Sequence, residues 1–243
     1  MFRSPSGFKA SSQAAAAIFI SILILMIAVL AGPTAHAQST RRTGHETNAS
    51  RKARIARQIK ETYTHRWETA GGGGYLRFRS GQYTQKNSEI TFWVNTTYFF
   101  NQKLGLTGEL RGAYGNGKVP NYNAFAAQVG SPQISEYPFM AGPTYRFRMT
   151  QKTAISAFAI GGTAIGKFDG DSKGISAANL GFWPSTSARP AFSLGANFDI
   201  SVYPNLAFRI TPSYLGTTFG GTLQNNAGFE MGLVYRFGRQ KQK

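Results

Sequence analysis

The 243-residue chain has no cysteine and only three histidines, and just 10 Asp and Glu stand against 27 Lys and Arg. Without cysteine there is no disulfide framework, thiolate zinc site, iron–sulfur cluster or cysteine nucleophile. Charged residues are scarce at 15%, while aromatics reach 14% and there are 28 Gly, a balance unlike that of a wholly disordered chain. The length allows one or two domains and a sizeable fold. No metal-ligand cluster or cofactor motif is present, so no cofactor is expected. Gly71–Gly74 resembles a phosphate loop only superficially, because no Lys-Ser/Thr and helix follow it. Small residues that let neighbouring strands approach are the better reading.

Three segments are set off from the rest. Residues 1–13 carry Arg3 and Lys9 and no acid, an unbroken apolar run extends from Ala14 to Ala31, and Ala35-His36-Ala37 follows Gly32-Pro33. That is the pattern of a secretory signal peptide over 1–37, with Gln38 as the mature start. The alternative is a retained anchor, since about 18 apolar residues just span a bilayer. From 38 to 66 the chain turns basic: Arg41, Arg42, Arg51, Lys52, Arg54, Arg57, Lys60 and Arg66 oppose only Glu46 and Glu61. Ala49 to Thr62 has a thin apolar stripe compatible with a short helix that needs support. The segment is expected to be a flexible or partly helical periplasmic extension, solvated or held against anionic lipid or cell-wall polymer. Nucleic acid is not expected, since an exported protein rarely meets it. A short basic tail occupies 239–243.

Between them, period two takes over. Leu104, Leu106, Leu110 and Tyr114 share one parity, with Thr107, Glu109 and Arg111 on the other. The same alternation sets Ile90, Phe92, Val94, Tyr98 and Phe100 against Thr91, Asn95 and Thr97, and Phe192 to Val202 against Ser193, Asn197, Asp199 and Ser201. Phe229, Met231, Leu233, Tyr235 and Phe237 repeat it against Glu230 and Arg236. Such alternation describes strands with one apolar and one polar face. Eight are expected, near 67–80, 88–100, 103–115, 136–149, 153–165, 190–203, 206–217 and 226–238, with no clear parity in the fifth. Short connections at 101–102, 150–152 and 204–205 alternate with longer Gly-, Asn-, Ser- and Pro-rich ones around 81–87, 116–135, 166–189 and 218–225. The expectation is all-β: an eight-stranded antiparallel up-and-down transmembrane barrel over 67–238. Pro143 and Pro212 fit uneasily, and point to a bulge or to misplaced strand limits.

A soluble lipocalin-like barrel would show the same period turned inside out. The membrane version is favoured by a polar parity poor in Lys and Glu, by the export signal, and by aromatics gathered at strand ends. The segments WETAGGGGYLRFRS, GPTYRF at Gly142–Phe147, SLGANFDISV at Ser193–Val202 and GFEMGLVYRFG resemble the small outer-membrane barrel domain of the OmpA-like, OmpX-like superfamily. The resemblance covers roughly 67–238 and concerns architecture. It implies the cell outer membrane of a Gram-negative-type envelope, with outer-membrane lipid, lipopolysaccharide and the barrel-insertion machinery as partners. The chain departs from the pattern by running on past Phe237.

With the apolar parity outward, the lumen is expected to hold an ion-pair network of Arg77, Arg79, Glu109, Arg111, Arg146, Arg148, Asp199, Arg209, Glu230 and Arg236. Either these charges plug the barrel, or their excess of arginine lines a narrow anion-preferring path. Tyr122, Phe125, Phe168, Phe182 and Trp183 in the long connections are candidate surface contacts, with packing among themselves as the alternative. Some barrels of this size act on lipid A, but catalysis needs a histidine within reach of its partner, and only His45 and His65 remain after processing. The reading is a monomeric, non-enzymatic barrel with a structural or surface-interaction role. A narrow porin-like channel and a soluble exported binding barrel are the alternatives.

Overall fold

The computed structural model describes residues 47–239, apart from the side chains of Thr186, Ser187 and Arg239. The expected signal peptide, residues 38–46 of the extension and residues 240–243 of the tail lie outside the described residues. One helix, α1 (Asn48–Tyr63), precedes eight strands: β1 (His65–Arg79), β2 (Lys86–Phe99), β3 (Leu104–Asn116), β4 (Gln133–Met149), β5 (Thr153–Gly170), β6 (Thr186–Tyr203), β7 (Leu206–Thr217) and β8 (Gln224–Arg239). Each strand pairs antiparallel with its neighbour in sequence, and β8 returns to β1, closing the barrel. His65 and Arg66 therefore belong to the first strand rather than to the extension.

Closure depends on small residues where β1 meets β8. A Cβ on Gly72 would stand 1.9 Å from the Met231 carbonyl oxygen, and one on Gly74 2.4 Å from that of Phe229. The run of glycines serves close strand approach. Pro143 and Pro212 both face outward and are exposed, and the register runs unshifted past each. Neither expectation about them holds: the bulges lie at Gln133/Ser135, Arg146/Arg148, Ala164/Gly166 and Ser201/Tyr203.

The outer face is apolar along the strands. Ile90, Val94, Leu106, Leu110, Phe139, Leu194, Phe198, Ile200 and Met231 are all exposed. At the short-turn end they give way to Trp67, Tyr98, Phe100, Tyr145, Phe147, Tyr235 and Phe237, which pack ring against ring, as in Trp67–Tyr98 at 4.8 Å. Toward the long-loop end Phe92, Tyr114 and Tyr137 form a second aromatic set, with centroids 5.1 and 5.6 Å apart. An apolar band between two aromatic girdles is the outside of a barrel solvated by lipid. The inner face instead carries Thr, Asn, Glu and Arg, so the soluble barrel with an apolar cavity is not favoured. β5, unresolved in sequence, turns Ala154, Ser156, Phe158, Ile160 and Ala164 inward.

Helix α1 starts where the Thr47 side chain accepts the Ser50 backbone N–H at 3.3 Å. Arg51, Lys52, Arg57 and Lys60 are exposed along it, while Thr62 and Tyr63 at its end are buried. Its Gln58 side chain bonds Gln151 in the β4–β5 turn, fixing the helix beside the short-turn mouth.

Candidate functional site

The candidate site is the lumen, and it has three levels. Nearest the short-turn mouth, Glu68 of β1 receives three arginines: Arg146 Nη2 at 2.5 Å, Arg236 Nε at 2.6 Å and Arg209 Nη2 at 3.2 Å. Asp199 accepts two bonds from Arg209, at 2.6 and 2.8 Å, and one from Arg236 at 3.3 Å. The guanidinium carbon of Arg146 lies 3.5 Å from the Phe99 ring centroid, and Tyr63 stands 5.4 Å from Arg146 and 5.3 Å from Arg236. Tyr63, carried in by α1, thus sits on the cluster from below. Burial pushes its hydroxyl above the usual tyrosine range.

Higher up, Arg111 of β3 is clamped between two acids, with Nη2 2.7 Å from Glu109 and Nε 2.9 Å from Glu230. Its Nη1 reaches Ser213 Oγ on β7 at 3.5 Å, so the group crosses the barrel. The four arginines of the two clusters face four acids, all buried. Desolvation on this scale is tolerable only because each charge is paired and hydrogen-bonded.

Toward the long loops the lumen becomes apolar. Phe78, Phe168 and Phe219 pack together, with ring centroids 5.0 to 6.3 Å apart. Leu76, Ile134, Leu180, Phe182 and Leu215 belong to the same buried cluster. The loops are tied over it: Trp183 Nε1 donates to the Arg79 carbonyl at 3.1 Å, Asn123 Nδ2 to that of Asn179 at 2.8 Å, and Lys173 Nζ to that of Gln128 at 2.9 Å.

Seven of the ten residues expected in the lumen are there: Glu109, Arg111, Arg146, Asp199, Arg209, Glu230 and Arg236. Arg111 pairs with both Glu109 and Glu230, Arg209 with Asp199, and Arg146 with Glu68. Arg77, Arg79 and Arg148 are corrections, because all three are exposed on the outer face. Leu76 and Phe78 take the inward positions beside the first two, and the Arg146/Arg148 bulge turns Arg148 out. Among the loop aromatics, Phe168 and Phe182 are buried in the apolar cluster, so they are not surface contacts. Phe125 and Trp183 are half-buried against the cluster, and Tyr122 is 78% exposed. Glu68, Glu89 and Glu136 were missed. Alternation of the glutamates with inward neighbours marks Glu89 and Glu136 in sequence, whereas Glu68 is followed by glycines that carry no parity.

Among the described residues no three His, Asp or Glu gather as a metal cluster. The one histidine there, His65, has Nδ1 donating to the Thr62 carbonyl at 3.1 Å. Fold and site together define a small membrane-type β-barrel with an ion-paired, filled lumen. No family model matches the chain, and no curated protein matches it. Among solved structures, Neisserial surface protein A is 12% identical with a TM-score of 0.48, covering 70% of this chain and 97% of that one. The outer membrane protein OprG from Pseudomonas aeruginosa is 15% identical with a TM-score of 0.47, covering 72% and 98%. Ail of Yersinia pestis, in complex with the heparin analogue sucrose octasulfate, is 17% identical with a TM-score of 0.42, covering 70% and 97%. Identities this low carry no residue role from those proteins to this chain.

Proposed function

We propose that the chain is an integral outer-membrane barrel that does not conduct and serves a structural or surface-interaction role. The observation behind this is the filled lumen: two arginine–carboxylate clusters span it, an apolar plug built around three mutually packed phenylalanines closes one end, and Tyr63 sits in the other. An eight-stranded barrel has little room beyond its own side chains. The short turns and α1 then lie on the periplasmic side and the tied loops outside the cell.

The charge at each end supports the partners. Arg77, Arg79, Lys86, Lys167 and Arg189 are exposed near the loop end, where phosphate groups of lipopolysaccharide would meet them. Arg51, Lys52, Arg57 and Lys60 of α1 offer the periplasmic side a cationic strip for anionic headgroups or cell-wall polymer. Among the described residues the one histidine, His65, is bonded to the Thr62 carbonyl, and β8 closes on β1 within a single chain, which favours a non-enzymatic monomer.

Two measurements test the reading. The purified full chain in planar bilayers should give no conductance steps above leak, and steps of uniform size would replace the closed barrel by the narrow pore. In cell fractions it should reside in the outer membrane and shift in gel mobility on boiling in SDS. A soluble band that does not shift would overturn the membrane assignment itself.

A further inference from the structure

Two lumen acids belong to neither ion cluster. Glu89 on β2 and Glu136 on β4 are both completely buried, and none of their four carboxylate oxygens has a hydrogen-bond partner. Arg111, two positions from Ala113 on the same face of β3, directs its donors to Glu109, Glu230 and Ser213. The strand between the two acids is made of small residues: Gly115 stands opposite Glu89 and Ala113 opposite Glu136. A Cβ on Gly115 would lie 2.7 Å from Glu89 Cγ, so the Glu89 side chain is laid across that glycine. Glu89 and Glu136 thus flank the Ala113–Gly115 stretch of β3 from its two sides on the inner face.

A third group joins them. Thr91 is buried, shares a transverse row with Ala113 and Glu136, and its hydroxyl has no partner either. Side-chain oxygens of three residues on this part of the inner face are therefore buried without a hydrogen-bond partner. Leu76 beside Glu89 and Ile134 beside Gly115 belong to the apolar plug, which limits solvation from the loop side. Buried acceptors without donors are unfavourable, and paired carboxylates without a counter-charge more so.

We propose that Glu89, Glu136 and Thr91 form a site for one hard divalent cation of the calcium and magnesium class, held inside the upper lumen. The donor set is all oxygen, with neither imidazole nor thiolate, which selects hard cations over softer transition metals. A divalent charge matches two carboxylates, and water completes the shell. The cation links β2 to β4 across β3, just beneath the loops. This inference does not depend on the closed-lumen reading, since a conducting barrel could hold the same ion.

The test uses the full chain purified from membranes and dialysed against metal-free buffer, with bound metal measured by elemental mass spectrometry. About one calcium or magnesium per chain is expected. Refolding in EDTA should lower the temperature at which the unboiled band converts to the boiled position, and added calcium should restore it. Glu89→Gln and Glu136→Gln should each lose the metal and the calcium response. A metal-free wild type whose unfolding ignores EDTA would overturn the site. So would glutamine variants with unchanged metal content. If the variants fail to fold, the metal content and EDTA response of the wild type decide alone.

Discussion

Glu68→Gln removes the charge that three arginines share while preserving the shape of the side chain. The consequences are unequal. Arg209 keeps its two bonds to Asp199, and Arg236 keeps one at 3.3 Å. Arg146 has no other carboxylate in the described ion pairs, and retains the Gln102 carbonyl at 3.1 Å and the Phe99 ring at 3.5 Å. Breaking a buried pair by removing one partner costs about 3–5 kcal/mol. The cation–π contact of Arg146 with Phe99 is present before the substitution and so offsets none of this loss. A loss of about 3 kcal/mol is therefore expected, most of it from the stranded Arg146.

The double variant Glu68→Gln with Arg146→Met isolates that contribution. It removes the stranded charge and leaves the other two arginines with Asp199, so it should be more stable than Glu68→Gln alone by about 2 kcal/mol. Urea unfolding in lipid vesicles, followed by tryptophan emission and by the unboiled gel band, measures both variants. Trp93 in the lumen and Trp67 at the aromatic girdle report from different depths. A single variant within about 1 kcal/mol of wild type, or a double variant no better than the single, would refute the account of the lower cluster.

Three further outcomes are expected. Gly72→Val should abolish the heat-shifted band, because its Cβ would meet the Met231 carbonyl on β8, whereas Gly108→Ala, with nothing within 4 Å, should fold normally. Leu110→Arg, at a position 52% exposed on the outer face, should cost about 2–4 kcal/mol in lipid vesicles, and a cost near zero would count against the lipid-facing assignment. Trp183→Ala should release the loop bonded to Arg79 and speed its proteolysis while the barrel band persists, and unchanged proteolysis would show that the indole does not hold that loop.

Much of the barrel is legible in sequence because lipid and lumen impose opposite chemistry on alternate residues. β2, β3, β6 and β8 state that code plainly, and the short turns β2–β3, β4–β5 and β6–β7 mark the hairpins. The code fails where its physical cause changes. Near the loop end of β1 the lumen is filled by the apolar plug while the outer surface leaves the apolar band, so Leu76 and Phe78 point in and Arg77 and Arg79 point out. The same rule that places Arg236 correctly at the other end of the barrel misplaces these two arginines. Phe168 fails for a related reason: β5 extends to Gly170, and its last inward position belongs to the plug rather than to a loop.

The remaining errors come from residues that interrupt or blur the count. The Arg146/Arg148 bulge offsets parity by one, so two arginines separated by a single phenylalanine face opposite sides. Glu68 precedes Thr69, Ala70 and four glycines, none of which distinguishes an inside from an outside. Yet it is Glu68 that gathers Arg146, Arg209 and Arg236 from three other strands. A barrel closes its sequence pattern on itself, and the register of β1 against β8 is what sets Glu68 opposite Arg236. The acid that organises the lower lumen thus becomes visible only once the first strand is paired with the last.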